Sequence, residues 1–565
     1  MMRLFSSFMA IVLCAAAASG QTIIGIAPPA PPPPGVNGMP TPRDRPTKAG
    51  TAIVRGRVVA ADTGQPLRKA QVRIIAGDIR ENRMTTTDAE GRYEFKEVLA
   101  ARYNMTAQKG SFVSLQYGQQ RPFEPGKPLE VLDGQTIEKV DFALPRGGVI
   151  SGRILDEFGE PLSDVRVSAM RYSFAGGRRR LMNAGRVAMT NDIGEFRLFA
   201  IPPGQYYLSA TLANMTVADS DDRSGYAPTY YPGTPNIAEA QRVTIGIAQA
   251  ISDVSIALMP TRTARITGTV VDSQGRPMAG MVMATPKSDL TPMMMMGPPG
   301  QIRPDGSFSI SGVAPGAYTL QVQGGPDGEA ALADVTVNGD DVTGVRLLGS
   351  RPSVISGRIV VDPAAATSLR PSEVRVTAAP ARMDMIMIGP PSGPAAVNED
   401  WTFEVKSRAG APMRLVLAGS PPGWAIRAVR HRGTDATDSG IEFRPGEDIG
   451  EIEIELTNQI TEVSGLVTNS RAEAVKDYSV IVFPQDRERW MAGSRYVRTG
   501  RPDQDGRFKV SGLPAGSYYA IAVEYIDGGD ANDPEVLDRL RTKAMTFSVT
   551  DGEKKAVDLK LTTTS

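Results

Sequence analysis

What most constrains this chain is a pattern that returns. A strand-like run carrying one glycine opens five stretches: "IVRGRVVA" from Ile53, "VISGRILD" from Val149, "RITGTVVD" from Arg265, "VISGRIVV" from Val354 and "EVSGLVTN" from Glu462. Four of these runs share a following turn and a second alternating run, as in "TGQPLRKAQVRI", "FGEPLSDVRVSA", "QGRPMAGMVMAT" and, more loosely, "RAEAVKDYSVIV". Strict alternation bounded by Gly and Pro is the signature of half-buried antiparallel strands.

Two further signatures follow in fixed order. The first is a hairpin: "TDAEGRYEF", "NDIGEFRL", "PDGSFSI" and "QDGRFKV", with the fourth stretch degraded to "NEDWTFEV". An Asp or Asn can bond turn amides, and Gly takes a left-handed backbone without strain. The second is a turn and tyrosine strand: "VLAARYNMTA", "IPPGQYYLSA", "VAPGAYTLQV" and "LPAGSYYAIA". Here Tyr103, Tyr206, Tyr318 and Tyr518 are expected to be packed corners with the hydroxyl tied to backbone. Gly204 and Gly516 are expected at positive φ.

Each stretch closes on another alternating run, clearest in Glu451 to Leu456, where Ile452, Ile454 and Leu456 face one way and glutamates the other. A unit of about 90 to 115 residues is too long for a solenoid repeat and fits an antiparallel β-sandwich. The expected fold is all-β: five Ig-like or prealbumin-like sandwiches at 51–146, 147–261, 262–350, 351–458 and 459–565, the fourth divergent. Short connections between them predict a bent, semi-rigid rod. One helix is expected in "NDPEVLDRLRTKA", capped by Asp533, with Pro534 in its first turn and Leu537 and Leu540 on one face.

The beginning reads differently. Arg3, the apolar "LFSSFMAIVLCAAAA" and "ASG" predict a signal peptide over 1–20, and "APPAPPPPGVNGMPTPRDRPTK" a polyproline spacer within 21–50. Cys14 is the only cysteine. A lipid-anchored reading of it is disfavoured by bulky Leu13. Loss of 1–20 leaves no disulfide, which suits a bacterial export route. The expected location is periplasm, cell surface or exterior, with no membrane span in the mature chain.

These signatures resemble the carboxypeptidase regulatory-like domain, a transthyretin- or prealbumin-like sandwich grouped with starch-binding-like folds and with Cna-B-like relatives. The carrying residues are "SGRILDEFGEPLSDVRVSA", "TNDIGEFRLFAIPPGQYYLSA" and their equivalents, across nearly the whole mature chain. The resemblance implies an accessory module that contributes no zinc ligands in metallocarboxypeptidases. Lys–Asn isopeptide bonds of the related adhesin sandwiches are not expected, because Arg55, Arg57, Arg153 and Arg358 occupy the first strands.

Chemistry is sparse. Lys plus Arg and Asp plus Glu are 62 each, so nucleic acid is not an expected partner. His431 is the only histidine, which argues against zinc sites and Ser-His-Asp triads. Asp503 and Asp505 in "PDQDGRF" are read as a turn rather than a calcium loop. No cofactor is expected. Sequence variation concentrates between the second run and the hairpin, where sandwich modules carry recognition. Met293 to Met296 and Met383, Met385 and Met387 there suit Cu(I) or simple packing. Tyr226, Tyr230 and Tyr231 in "SGYAPTYYPGTPN", and Trp490, are the candidate platform for carbohydrate or another envelope protein. The expected function is an exported, non-enzymatic binding or scaffolding protein. A carbohydrate-binding accessory is the alternative and a carboxylate-dependent hydrolase the third reading.

Overall fold

The opening strand of each unit is where its two halves meet. In the computed structural model these strands are Ala52–Ala60, Gly148–Leu155, Ala264–Val271, Ser353–Val361 and Glu462–Thr468. Each pairs antiparallel with its hairpin strand and parallel with the strand that closes the same unit. The residues described are 50–77, 79, 81–212, 223–287, 299–323, 328–362, 369–381, 393–407, 412–419, 421, 423–491 and 493–563. The expected signal peptide, all but the last residue of the segment 21–50, and the methionine runs Met293–Met296 and Met383–Met387 lie outside them.

The recurring glycine has one physical cause. A Cβ on Gly56, Gly152, Gly268, Gly357 or Gly465 would stand 1.9, 1.8, 2.0, 2.1 or 2.0 Å from the carbonyl oxygen of Val140, Val254, Val345, Ile452 or Val557. Only a residue without a side chain lets the closing strand come this near. In the first four units the approach follows a bulge. The residue before that carbonyl, Lys139, Asp253, Gly344 or Glu451, is left-handed at φ 61°, 63°, 72° or 57°, and the parallel register shifts there in units two, three and four.

The hairpin turn is built as expected, with one refinement. Its glycines Gly91, Gly194, Gly306 and Gly506 have φ of 72°, 70°, 81° and 85°. In units one, two and five the side chain that bonds the amides stands three residues before the glycine, whereas in unit three it is Asp305, next to the glycine, that accepts from the Ser307 amide at 2.9 Å. Asp88 Oδ1 accepts from the amides of Glu90 (3.0 Å) and Arg92 (2.7 Å), and Asp503 Oδ1 from those of Asp505 and Arg507 (2.9 Å each). Asn191 does the same. In the degraded fourth unit Trp401 holds the glycine's place and still adopts φ 67°.

Across the sandwich lies the second sheet, where the tyrosine strand pairs with the second strand. The corner expectation holds in four units. Tyr103, Tyr206, Tyr318 and Tyr518 donate their hydroxyls to the carbonyls four residues earlier, Leu99, Pro202, Ala314 and Pro514, at 3.0, 2.7, 2.8 and 2.6 Å. The positive-φ expectation fails at Gly204, which lies outside that range, and is met at Gly516, whose φ of 158° stands at its extended edge.

Five separate cores result, at Ala52–Leu144, Ile150–Leu258, Ala264–Leu347, Ile355–Leu456 and Val463–Leu559. The one α-helix among the described residues is Pro534–Arg541, capped by Asp533, which accepts from the Glu535 amide. Leu537 and Leu540 are buried in a smaller core on the outer face of the fifth sandwich.

Two outcomes test this account. Gly56→Ala should cost the first sandwich on the order of 3 kcal/mol, because backbone must move. Gly77→Ala, where a Cβ meets nothing within 4 Å, should be close to neutral in the same thermal melt. Separately, burial pushes the phenols of Tyr206 and Tyr318 up to about 12. A folded pKa raised above the ordinary value near 10 gives stability that is complete below pH about 10 and is lost as pH rises through about 12. Alkaline unfolding should therefore track tyrosinate absorbance in that window.

Candidate functional site at the junction of three sandwiches

Excursions from the shared pattern in the first, second and fifth sandwiches converge on one place. The first sandwich contributes the segment Arg121–Pro122–Phe123–Glu124. In the second, the variable run between second strand and hairpin becomes a long two-stranded ribbon, Val165–Ala175 with Arg178–Met189. The fifth sandwich contributes Asp477, Arg501 and the stretch from Glu524 to the helix.

An ion pair removed from water joins the first and fifth. Arg501 donates to Glu124 Oε1 at 2.6 Å and to Asp477 Oδ1 at 2.8 Å, with the Arg501 and Glu124 side chains only 4% and 1% exposed. Lys127 reaches Asp477 at 3.2 Å. The Arg102 guanidinium donates to the Lys509 carbonyl, and the Tyr525 hydroxyl to the Pro122 carbonyl. The ribbon of the second sandwich then reaches the fifth. Arg171 pairs with Asp527, and Arg179 with Asp533 at 3.0 Å, so the helix cap also binds a neighbour. Arg171 lies 3.7 Å over the Phe123 ring, which itself packs against the second core.

These contacts correct the rod. A rod places each sandwich against its chain neighbours alone, whereas here the fifth docks on the first and second. The fifth also holds the fourth: Arg427 pairs with Asp551 and Arg495 with Asp438. The sequence-variable loops of the second and fifth units therefore bind their own chain.

Above this junction is an open cavity of about 510 Å3, lined by Arg121, Tyr172, Tyr207, Arg242 and Tyr525 among others. Tyr172 and Tyr207 meet edge to face at 5.8 Å. Burial pushes the Tyr525 phenol up to about 12.

The residues singled out in the sequence lie elsewhere. Tyr230 is 7% exposed and packs with Met170, Leu181 and Ile237. Trp490 is 4% exposed, donates to the Pro484 carbonyl at 2.7 Å and meets Phe483 edge to face. Neither ring is available to stack on a ligand. Tyr231 is partly buried against the second core. Tyr226 is also partly buried there and donates to Glu157 at 2.7 Å; burial first, and then this bond, push its phenol up to about 12. Their segment has structural work: Thr229–Tyr230 extends the second sheet, and Ser224–Tyr226 pairs with Pro260–Arg262 in the connection to the third sandwich. His431 ends a strand in the fourth sandwich. Among the described residues no group of three or more His, Cys, Asp or Glu side chains gathers as a metal site. Among them, too, no helix is long and apolar enough to cross a membrane.

Sequence reasoning missed Tyr172, Tyr207, Arg121 and Arg242. One signal was present: the doubled tyrosines that follow the recurring turn, Tyr206–Tyr207 and Tyr518–Tyr519, put their second ring on the sheet's outer face. Tyr519 is covered by Phe483 and the helix core, and Tyr207 borders the cavity.

Residues 53–145 match the carboxypeptidase regulatory-like domain. The described residues form a tandem of β-sandwiches. No curated protein matches it. Among solved structures, a streptococcal ancillary pilin is 13% identical, with 53% of this chain and 98% of that one covered at a TM-score of 0.19. The minor pilin GBS52 of Streptococcus agalactiae is 12% identical, covering 37% and 95% at 0.21. The major pilin subunit BcpA of Bacillus cereus is 10% identical, covering 53% and 99% at 0.13. At such scores the likeness says nothing about what this chain binds.

Arg501→Ala would leave Glu124 charged and buried without a partner, a loss of about 3–5 kcal/mol. Small-angle scattering should then show the fifth sandwich released, while Arg501→Met with Glu124→Leu should restore much of the docking. Tyr230→Ala should lower the melt of the second sandwich by about 3 kcal/mol, as expected for a core aromatic. An unchanged melt would return Tyr230 to the surface.

Proposed function

We propose that this chain is an exported, non-enzymatic binding or scaffolding protein of a bacterial envelope or exterior. The observation that carries the reading is the set of buried and half-buried ion pairs from the fifth sandwich to the first, second and fourth. Loops that sandwich modules ordinarily leave free for ligands are here committed to holding sandwiches in place. Such cross-bracing serves a protein that must keep separate surfaces at fixed spacing. The apolar stretch after Arg3 supports export, and a chain without cysteine once 1–20 is removed must keep its shape by packing and ion pairs.

The test is fractionation of cells expressing the full chain and a version lacking 1–20, followed by cross-linking in intact cells. Full-length protein outside the cytoplasm, cross-linked in fixed proportion to an envelope component, is the expected result. Cytoplasmic retention of both versions would overturn export. An exported protein recovered only as a free monomer would overturn scaffolding.

A further inference from the structure

We propose that the cavity above the junction of the first, second and fifth sandwiches binds a carboxylate-bearing sugar, free or within an acidic polysaccharide. This goes beyond the scaffold reading and does not depend on it. The second sandwich supplies the floor. Tyr172, Gln205, Tyr207 and Arg242 share the outer face of one sheet, with Tyr207 directly opposite Arg242 in register. Tyr172 is 37% exposed and Tyr207 beside it is half-buried.

The polar inventory favours an anionic, hydroxyl-rich ligand. The hydroxyls of Tyr172 and Tyr207 and the guanidinium of Arg242 have no hydrogen-bond or ion-pair partner among the described residues. Arg171 is neutralised by Asp527. Arg121 gives one bond to the Glu524 carbonyl and lies 5.5 Å from the Tyr525 ring centre, so it has donors left over. Two guanidinium forks without carboxylates of their own suit a carboxylate, which they bind by paired hydrogen bonds. Aromatic rings offer faces for the C–H side of a sugar ring, while free phenols and Gln205 meet its hydroxyls. A volume of about 510 Å3 lies in the usual range for small-ligand sites and accommodates about two sugar rings.

The cavity also exists only when the sandwiches are docked, because Arg121 and Tyr525 come from different units than the floor. The full chain is therefore the material for the test. Titration calorimetry would use digalacturonate, the matching neutral disaccharide, polygalacturonate and inorganic phosphate. Digalacturonate is expected to bind at least about tenfold more tightly than the neutral disaccharide or phosphate, since only it satisfies both forks and rings. Arg242→Ala should weaken it about tenfold at an unchanged melting temperature, and Tyr207→Phe should weaken it without loss of fold. Binding of polygalacturonate but not the dimer would assign the site to the polymer form of the same chemistry. Absence of binding by either acidic sugar, equal binding of phosphate, or indifference to Arg242→Ala would each overturn the proposal.

Discussion

In every sandwich the closing strand runs beside the opening strand, in the same direction, and sets a carbonyl oxygen where a side chain of the opening strand would be. Five glycines make that approach possible, and the architecture depends on it. Parallel neighbours that are first and last in their unit put the incoming and outgoing chain at opposite ends of the sandwich. Units joined this way follow one another with very short connections, and the bulge before the carbonyl fixes the register of each closure. The tyrosine corner and the Asp- or Asn-bonded turn then secure the two hairpin ends of the same sandwich.

The local parts of this design were legible in the sequence because each has a local cause. A glycine under a carbonyl, a carboxylate over two amides, a tyrosine bonded four residues back and a helix cap all lie within a few residues of what they touch, or recur often enough to stand out. Which acid of the turn bonds the amides was not legible, since Asp503 does so in the fifth unit and Asp305, next to the glycine, in the third. The cross-bracing was not legible. Glu124 and Arg501 are 377 residues apart, and a single arginine in a loop carries no periodic mark of its partner.

The candidate binding residues were misjudged for a related reason. An aromatic cluster in a Pro- and Gly-rich segment gives no sign of which face it covers. Tyr230 and Trp490 turn inward because Met170 with Leu181, and Phe483 with the helix, offer them apolar surroundings. Tyr207 is only partly covered, by Met170 and its neighbours, and its remaining surface borders the cavity with Arg121 of the first sandwich and Tyr525 of the fifth. Burial of an outer face is thus decided by what the chain brings back from far away.

The contact between the first and last sandwiches has a consequence for assembly. Surfaces that recognise each other at the two ends of a chain do not distinguish their own end from that of a second copy. Within one chain the partner is held at high local concentration, so the closed monomer prevails in dilute solution. At high protein concentration the same pairs of charges can be satisfied reciprocally between two chains, by exchange of the fifth sandwich. The brace that holds one molecule closed therefore also has the chemistry of a seam between two.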